Sequence, residues 1–439
     1  MGSALRGLVA AALLTGAVTA AQGLEVLTSD KLRLDVHGRG QMIGVGELVP
    51  DPVRDNARVF LFLKQARLGF KGAYDDVRFE TLLAFGGENA NGSNTDLGLL
   101  DFVADVPLSP LGDAAVLKIG QFRVPYSREG LTDRGFMNWG ERSLMTMAAY
   151  QARDYGLALL KTRGSLTGTI GVFSAGGRDV PQRYLPETLG VPEVVARVGY
   201  NDGLDEDIYH VAGTDLELSR TAKAAYLNAL FMQDTKIGHS TVLNVRTIDK
   251  NLLVDSSYNP FISAGPGLAN GTPATLQRGN IWFIGGDAAI RQFLSAGKAL
   301  EAEAEVNWGG YSNRYGSLHI GAARVQAGYR FQPYHVALRY AALMMDRGTN
   351  YRTAGRQFSP AVGSVIHEVT PSLAWHIRKH HMKLVADAPV YLNMPVFVEQ
   401  GVGAYVFAQQ PGQVSILATG HSVKRHAIVQ GRMMFQFLF

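Results

Sequence analysis

Polar and apolar positions alternate with a period of two along most of this chain. The pattern is plainest at Ala299–Trp308, where Glu301, Glu303, Glu305 and Asn307 share one face and Leu300, Ala302, Ala304, Val306 and Trp308 the other. A helix would scatter those glutamates around its cylinder and keep no apolar stripe, so the segment reads as a two-faced strand. The same polarity recurs. Leu32, Leu34 and Val36 oppose Arg33, Asp35, His37 and Arg39. Phe60, Phe62, Ala66, Leu68 and Phe70 oppose Gln65, Arg67 and Lys71, with Lys64 out of phase. Val77, Phe79, Leu83 and Phe85 oppose Arg78 and Glu80, and Leu100, Phe102, Ala104 and Val106 oppose Asp101 and Asp105. Further on, Trp282, Ile284 and Ile290 face away from Asp287 and Arg291, Val325, Ala327, Tyr329 and Phe331 from Arg324, Gln326 and Arg330, and Val336, Leu338, Tyr340 and Met344 from His335 and Arg339.

Alternation sustained over ten or more residues exceeds the five or six of soluble strands and matches the roughly 9–11 that a tilted membrane-crossing strand needs. Connections also alternate. Short ones (72–76, 162–165, 295–298, 332–334, 378–380) lie between long, Gly- or Asn-rich ones (86–96, 125–152, 249–278, 346–366, 392–424). This predicts an all-β fold, a transmembrane antiparallel β-barrel with short periplasmic turns and long extracellular loops. Counting by pattern gives 16 to 18 strands, 16 fitting best and the ambiguity lying within 208–248; parity is even, because both termini belong on the periplasmic side. A soluble β-sandwich shares the alternation but not the strand length. In such a barrel the apolar face meets lipid and the glutamates of 301–305 point into water.

The first residues add a leader. Arg6 precedes an apolar run from Leu8 to Val18 and small residues at Ala20 and Ala21, the make-up of a secretory signal peptide over 1–21. The barrel domain then spans 22–439, and no later apolar run is long enough for a membrane helix. The 439 residues contain no cysteine, which excludes disulfides and thiolate sites, and the net charge of +4 comes without a basic block, which argues against nucleic acid as a partner. These features place the chain in the outer membrane of a Gram-negative bacterium, in contact with lipid.

The C-terminal segment, AIVQGRMMFQFLF at 427–439, alternates to the end and finishes on Phe439. It resembles the last strand of bacterial outer-membrane barrels, and the resemblance implies recognition by the barrel-assembly machinery. The stretch 118–144, KIGQFRVPYSREGLTDRGFMNWGERSL, resembles the motif of the phosphate-selective porin O/P family. Pieces at 62–72, 324–331 and 335–343 are similar in the same order. The resemblance implies a 16-stranded channel, a homotrimer, and a 125–152 loop folded into the barrel as a constriction. That loop carries Arg128, Glu129, Asp133, Arg134, Glu141 and Arg142, with Tyr126, Phe136, Trp139 and Tyr150 to pack it and Arg153 just after it.

Face assignment sends Arg33, Arg39, Arg67, Arg78, Lys118, Arg197, Arg291, Arg324, Arg330, Arg339, Lys383 and Arg432 into the lumen. Asp35, Glu80, Asp101, Asp105, Asp287, Glu301, Glu303, Glu305, Glu368 and Asp387 go with them. Guanidinium forks suit phosphate oxygens, and basic rings select anions. The near balance of signs departs from a purely cationic ladder, and part of it serves to pair charges across strands. The expected function is passive diffusion of small ionic or polar solutes, leaning to anions and extending to phosphate. The alternative is a structural or adhesive barrel plugged by 125–152 and 249–278. No nucleophile elbow, phosphate loop or zinc-protease motif occurs, and the His376, His380, His381 cluster lacks a carboxylate set beside it. Neither an enzyme activity nor a cofactor or metal is expected.

Overall fold

The computed structural model describes residues 23–49, 56–87, 97–108, 110, 115–149, 153–174, 191–217, 219–236, 278–313, 316–346, 364–399 and 421–439. The expected leader and all but the last residue of the 249–278 loop lie outside the described residues. The strands are β1 (Leu24–Thr28), β2 (Leu32–Val49), β3 (Asn56–Tyr74), β4 (Val77–Gly87), β5 (Leu97–Pro107), β6 (Ala115–Arg123), β7 (Arg153–Arg163), β8 (Leu166–Phe173) and β9 (Val191–Asn201). They continue as β10 (Ala222–Lys236), β11 (Arg278–Ser295), β12 (Lys298–Asn313), β13 (Gly316–Phe331), β14 (Tyr334–Asp346), β15 (Ser364–His380), β16 (Met382–Asp387), β17 (Val390–Glu399) and β18 (His421–Leu438).

All neighbours pair antiparallel, and pairing of β18 with β2 closes the sheet into a barrel. β16 and β17 lie end to end between β15 and β18, and the ladder crosses their break through Ala388 N to Pro371 O (3.1 Å) and Gln430 N to Pro389 O (2.9 Å). β1 runs beside Arg33–Val36 of β2, past the end of β18, so the wall itself has 16 strands. Closure leaves no unpaired edge in the 16-strand wall among the described residues, the condition for spanning lipid with strands. Among the described residues no helix is long and apolar enough to cross a membrane.

The two-residue connections at 75–76, 164–165, 296–297 and 332–333 gather at one end, called here the short-turn end. Gly164 and Gly297 take positive φ (60° and 75°) in two of these turns, a conformation in which a Cβ would be strained. Alternation holds through most of the wall: on β12, Leu300 and Val306 are 48% and 56% exposed outward, while Glu303 and Glu305 are 7% and 3% exposed inward.

Two strands depart from the expected phase, both at bulges. On β3, Gln41 pairs with Gln65 but Met42 with Leu63, so Lys64 is the extra residue. Beyond it the phase flips: Lys64 is buried inside, Leu61 and Val59 face outward, and Phe62, expected outside, packs inward on Ile43 and Val45. On β5, Asp101 pairs with Leu82 and Leu99 with Leu83, which leaves Leu100 as the bulge residue, fully buried where an outward side chain was expected. Gln121 on β6 donates to the carbonyls of Leu99 (2.9 Å) and Leu100 (2.7 Å) that the bulge frees.

The seam between β18 and β2 carries its own fit. The rings of Phe437 and Phe439 lie over Gly40 and Gly38, so closely that a Cβ on either glycine would overlap them, and Gly38 and Phe439 exchange backbone hydrogen bonds of 2.8 and 3.1 Å.

Candidate functional site: a lumen filled from both ends

Two segments fold into the barrel. The first, 124–149, enters from the long-loop end between β6 and β7. It holds helix α1 (Arg128–Leu131), a 3-10 turn at Arg134–Phe136 and helix α2 (Leu144–Ala149). Ser127 caps α1 by accepting from Gly130 N (3.2 Å), and the Asp133 carboxylate caps the 3-10 turn through Gly135 N (2.6 Å). The second, 202–217, enters from the short-turn end, because its flanks Tyr200 and Ala222 pair with Leu166 and Arg291 beside the short turns. Together with the wall these segments build an apolar core inside the barrel. In it Phe122 meets Phe173 (5.2 Å) and Tyr209 (5.8 Å) edge-on, and Tyr126 meets Phe283 (6.3 Å).

The inward glutamates do not stand in open water, as the alternation alone suggested. Glu305 accepts the backbone N–H groups of Arg128 (3.2 Å) and Glu129 (3.3 Å) at the start of α1, where free N–H groups and the helix dipole favour a carboxylate. Glu368 does the same for α2 through Leu144 N (2.6 Å), and Glu129 accepts from Ser143 N (2.9 Å) and Oγ (2.5 Å). Glu303 binds Arg291 (2.7 Å) and Arg324 (3.1 Å), and Glu301 accepts from Thr214 Oγ1 (3.1 Å).

The arginines are equally committed. Arg128, fully buried, bonds Asp205 with both terminal nitrogens (3.1 and 2.7 Å) and Asp287 through Nε (3.0 Å), while Arg197 takes the other side of Asp287 (2.6 and 3.1 Å) and lies over the Tyr226 ring. Arg324 bridges Glu303 and Glu305, Arg339 binds Glu368 and Glu129 above the Trp139 ring, and Arg432 grips Asp387 (2.5 and 2.9 Å). Arg153 pairs with Asp101, Lys118 with Asp105 (2.7 Å), and Arg39 and Arg123 with Asp133. Arg142 spends its guanidinium on the carbonyls of Glu129, Gly130 and Thr132, a tie within the loop. Glu141 holds Lys64 (2.9 Å) and Arg134 (3.3 Å).

Arg33 and Arg78 sit on the rim with more than half of each side chain exposed, beside Asp35 and Asp105, and Lys71 lies near Glu80. Arg67 is buried opposite Arg39 in register. Two cations rest on carbonyls: Lys383 donates to Gly135 O (2.8 Å) and Met137 O (2.6 Å), and Arg330 to Asp215 O.

Within the loop, burial by itself pushes the Glu129 carboxyl up, but the Arg324 and Arg339 guanidiniums outweigh it and hold the group below its ordinary value. The same contest ends lower for Asp133 beside Arg39 and Arg123, and for Glu141 between Arg134 and Lys64. In the second segment burial opposes charge on His210, and Asp207 at 2.9 Å reverses it, raising the imidazole above its usual range.

The expected packing residues of the loop take these places: Tyr126 donates to Asn307 (2.9 Å), Phe136 meets the His380 ring edge-on (5.0 Å), Trp139 lies under Arg339, and Tyr150 is outside the described residues. Within the histidine cluster the His376 and His380 rings meet edge-on (5.1 Å), and the ring nitrogens reach backbone carbonyls: His380 Nε2 is 2.8 Å from Thr214 O and His381 Nδ1 3.2 Å from Leu438 O. Among the described residues no three metal-ligating side chains gather. Sequence reasoning missed Asp205, Lys64 and the entire inward course of 202–217. The signal for that course was present, since NDGLDEDIYHVAGTDLEL at 201–218 loses the alternation for some 20 residues on the side of the two-residue turns.

A closed barrel of 16 antiparallel strands, apolar outside, charged within and narrowed by an inward loop, is an outer-membrane porin. Residues 45–197 match the model of the family described as phosphate-selective porin O and P, the family that the 118–144 stretch resembles and within whose matched span that stretch lies. No curated protein sequence matches the chain. Among solved structures it is similar to an anion-selective porin from Comamonas acidovorans (TM-score 0.54, 11% identity, 93% of this chain and 100% of that one covered). It is also similar to Pseudomonas putida OprB (0.52, 9%, 92% and 94%) and to a trimer form of OmpT from Vibrio cholerae (0.50, 9%, 93% and 100%). At these identities the likeness is one of fold.

Proposed function

We propose that this porin passes small hydrophilic solutes passively and catalyses no reaction, with a lean towards anions that includes phosphate without demanding it. The observation that carries the lean is Lys383, a buried inward lysine held by two loop carbonyls, with no carboxylate in ion-pair reach among the described residues and with His376 on one flank and the amides of Gln436 and Gln41 on the other in register. Carboxylates crowd β11 and β12, five and four strands round the wall from Lys383. What argues against strict phosphate selection is the commitment of Arg128, Arg197, Arg324, Arg339 and Arg432 to carboxylates, which leaves no continuous ladder of free guanidiniums. The path is therefore lined by the inward residues of the wall, with 124–149 as its constriction. A homotrimer is supported by the OmpT trimer form, lipid contact by the apolar outer face, and delivery through the barrel-assembly machinery by the terminal aromatic strand.

The test is single-channel current in a planar bilayer under a KCl gradient, followed by added phosphate. A chloride-leaning reversal potential that moves towards potassium in Lys383→Glu, with at most partial block by phosphate, is the expected result. One specific feature favours the second reading, a plugged structural barrel: the two inward segments touch. Silence of the purified protein at every voltage would establish it.

A further inference from the structure

The connection from β9 to β10 runs from 202 to 221, while the short-turn connections at 75–76, 164–165, 296–297 and 332–333 have two residues each. Its two ends are held by different chemistry. At its root, Asn201 Oδ1 accepts from Leu204 N (2.9 Å) and Asp205 N (3.1 Å). Asp205 accepts from Arg128, from Tyr226 OH (3.1 Å) and from Ala212 N (3.0 Å), all within the buried core. Past Thr214, whose hydroxyl is buried between Asn138 (2.7 Å) and Glu301 (3.1 Å), the tip reaches the far wall by backbone carbonyls and one exposed pair: Leu216 O accepts from Gln332 (2.5 Å), Asp215 O from Arg330, and Glu217 pairs with Lys379 on the rim. Exposed pairs and lone carbonyl contacts hold weakly, whereas a buried ion pair is costly to break.

We propose, resting on the channel reading, that residues 202–217 form a strap across the short-turn mouth, rooted by Asp205 on Arg128 and by Thr214 between Asn138 and Glu301, and that solutes pass when its 215–217 tip leaves the far wall. Asp205 is then a positioning residue for the constriction: it reaches Arg128 from the opposite end of the barrel, so strap and loop share one guanidinium. Release of the tip uncovers Arg330, whose Nε and one terminal nitrogen have no hydrogen-bond partner, and turns it towards the opened mouth.

The chain contains no cysteine, so a pair can be placed without background. Full-length protein carrying Glu217→Cys and Lys379→Cys is joined by a bismaleimide whose spacer holds a cleavable disulfide, and is measured in a planar bilayer before and after reduction. The expected result is a conductance lowered by about half or more while the link is intact and restored by reductant, as a mouth obstruction demands. Equal conductance with the link intact and cut overturns the strap, as does failure of the two cysteines to react with one linker. Asp205→Asn supplies a second readout. It strips Arg128 of one of its two carboxylates, so chloride-over-potassium preference rises, and Asp205→Glu returns it towards the parent value; no change in preference in a folded Asp205→Asn protein removes the positioning role. If the linked and cleaved proteins are both silent, and so is a variant with 206–216 shortened, the channel reading falls and the strap with it. Current only in the shortened variant shows a fixed plug and overturns movement.

Discussion

Asp287 holds two guanidiniums at once, Arg128 from the constriction loop and Arg197 from β9, and none of the three side chains touches solvent. Removing one member of a buried charge set leaves the others uncompensated, at a cost of about 3–5 kcal/mol. Asp287→Ala therefore lowers stability by that order in denaturant unfolding from lipid vesicles, whereas removal of the rim charge in Glu217→Ala changes it within about 1 kcal/mol. Much at this scale was legible beforehand. The inward arginines and glutamates follow from period two, since a strand has only two faces. What was not legible is who meets whom, because Arg128 and Asp205 come from segments with no periodicity, and their contact depends on both folding into the same space. Lys64 shows the other limit. It looked out of phase, and the bulge that explains it is set by pairing with β2, which the local pattern of β3 does not contain.

The constriction segment is an element whose short helices are stabilised from outside. Helices of four and six residues are too short to persist alone, and here wall carboxylates satisfy their first N–H groups. Within the segment, Glu129, Asp133 and Glu141 have carboxyls held below their ordinary values in the folded state. Groups depressed in this way stabilise fully above the unfolded value near 4.3, and the contribution is lost as pH falls below it towards the folded value. The segment's resistance to added protease is thus flat from pH 8 to about 5 and declines below about 4. His210 has the opposite sign: its imidazole is raised, so its pairing with Asp207 stabilises 202–217 at low pH and is lost as pH rises through the raised value. Protease access to 202–217 accordingly increases on the alkaline side, where access to 124–149 does not.

For the whole molecule, strand length, turn asymmetry and a terminal aromatic residue were enough to predict a closed antiparallel barrel, and the lower of the two strand counts is the wall that forms. The ambiguity within 208–248 resolves into an inward segment ending at 217 and one described strand, β10, while the break at Ala388–Pro389 and the short β1 beside β2 add segments without adding to the wall. The lumen was less legible, because alternation says which face is inward but not how much chain will share the interior. An inward side chain reads the same in sequence whether it borders water, a loop or a strap.

The fit of Phe437 and Phe439 over Gly40 and Gly38 has a bearing on how the cylinder is sealed. Of all the pairings, β18 with β2 joins residues farthest apart in the chain, so no hairpin turn dictates its alignment. A slip of one residue would swap lipid-facing and lumen-facing side chains along the entire joint. Two rings seated on two positions without a Cβ act as a key that turns in one lock only, and any other alignment sets a ring against a side chain. Gly40→Val jams that lock. Its barrel forms slowly in vesicles, seen as delayed appearance of the compact, heat-modifiable band on gels, while Gly431→Ala, whose Cβ would meet open space, closes at the parent rate.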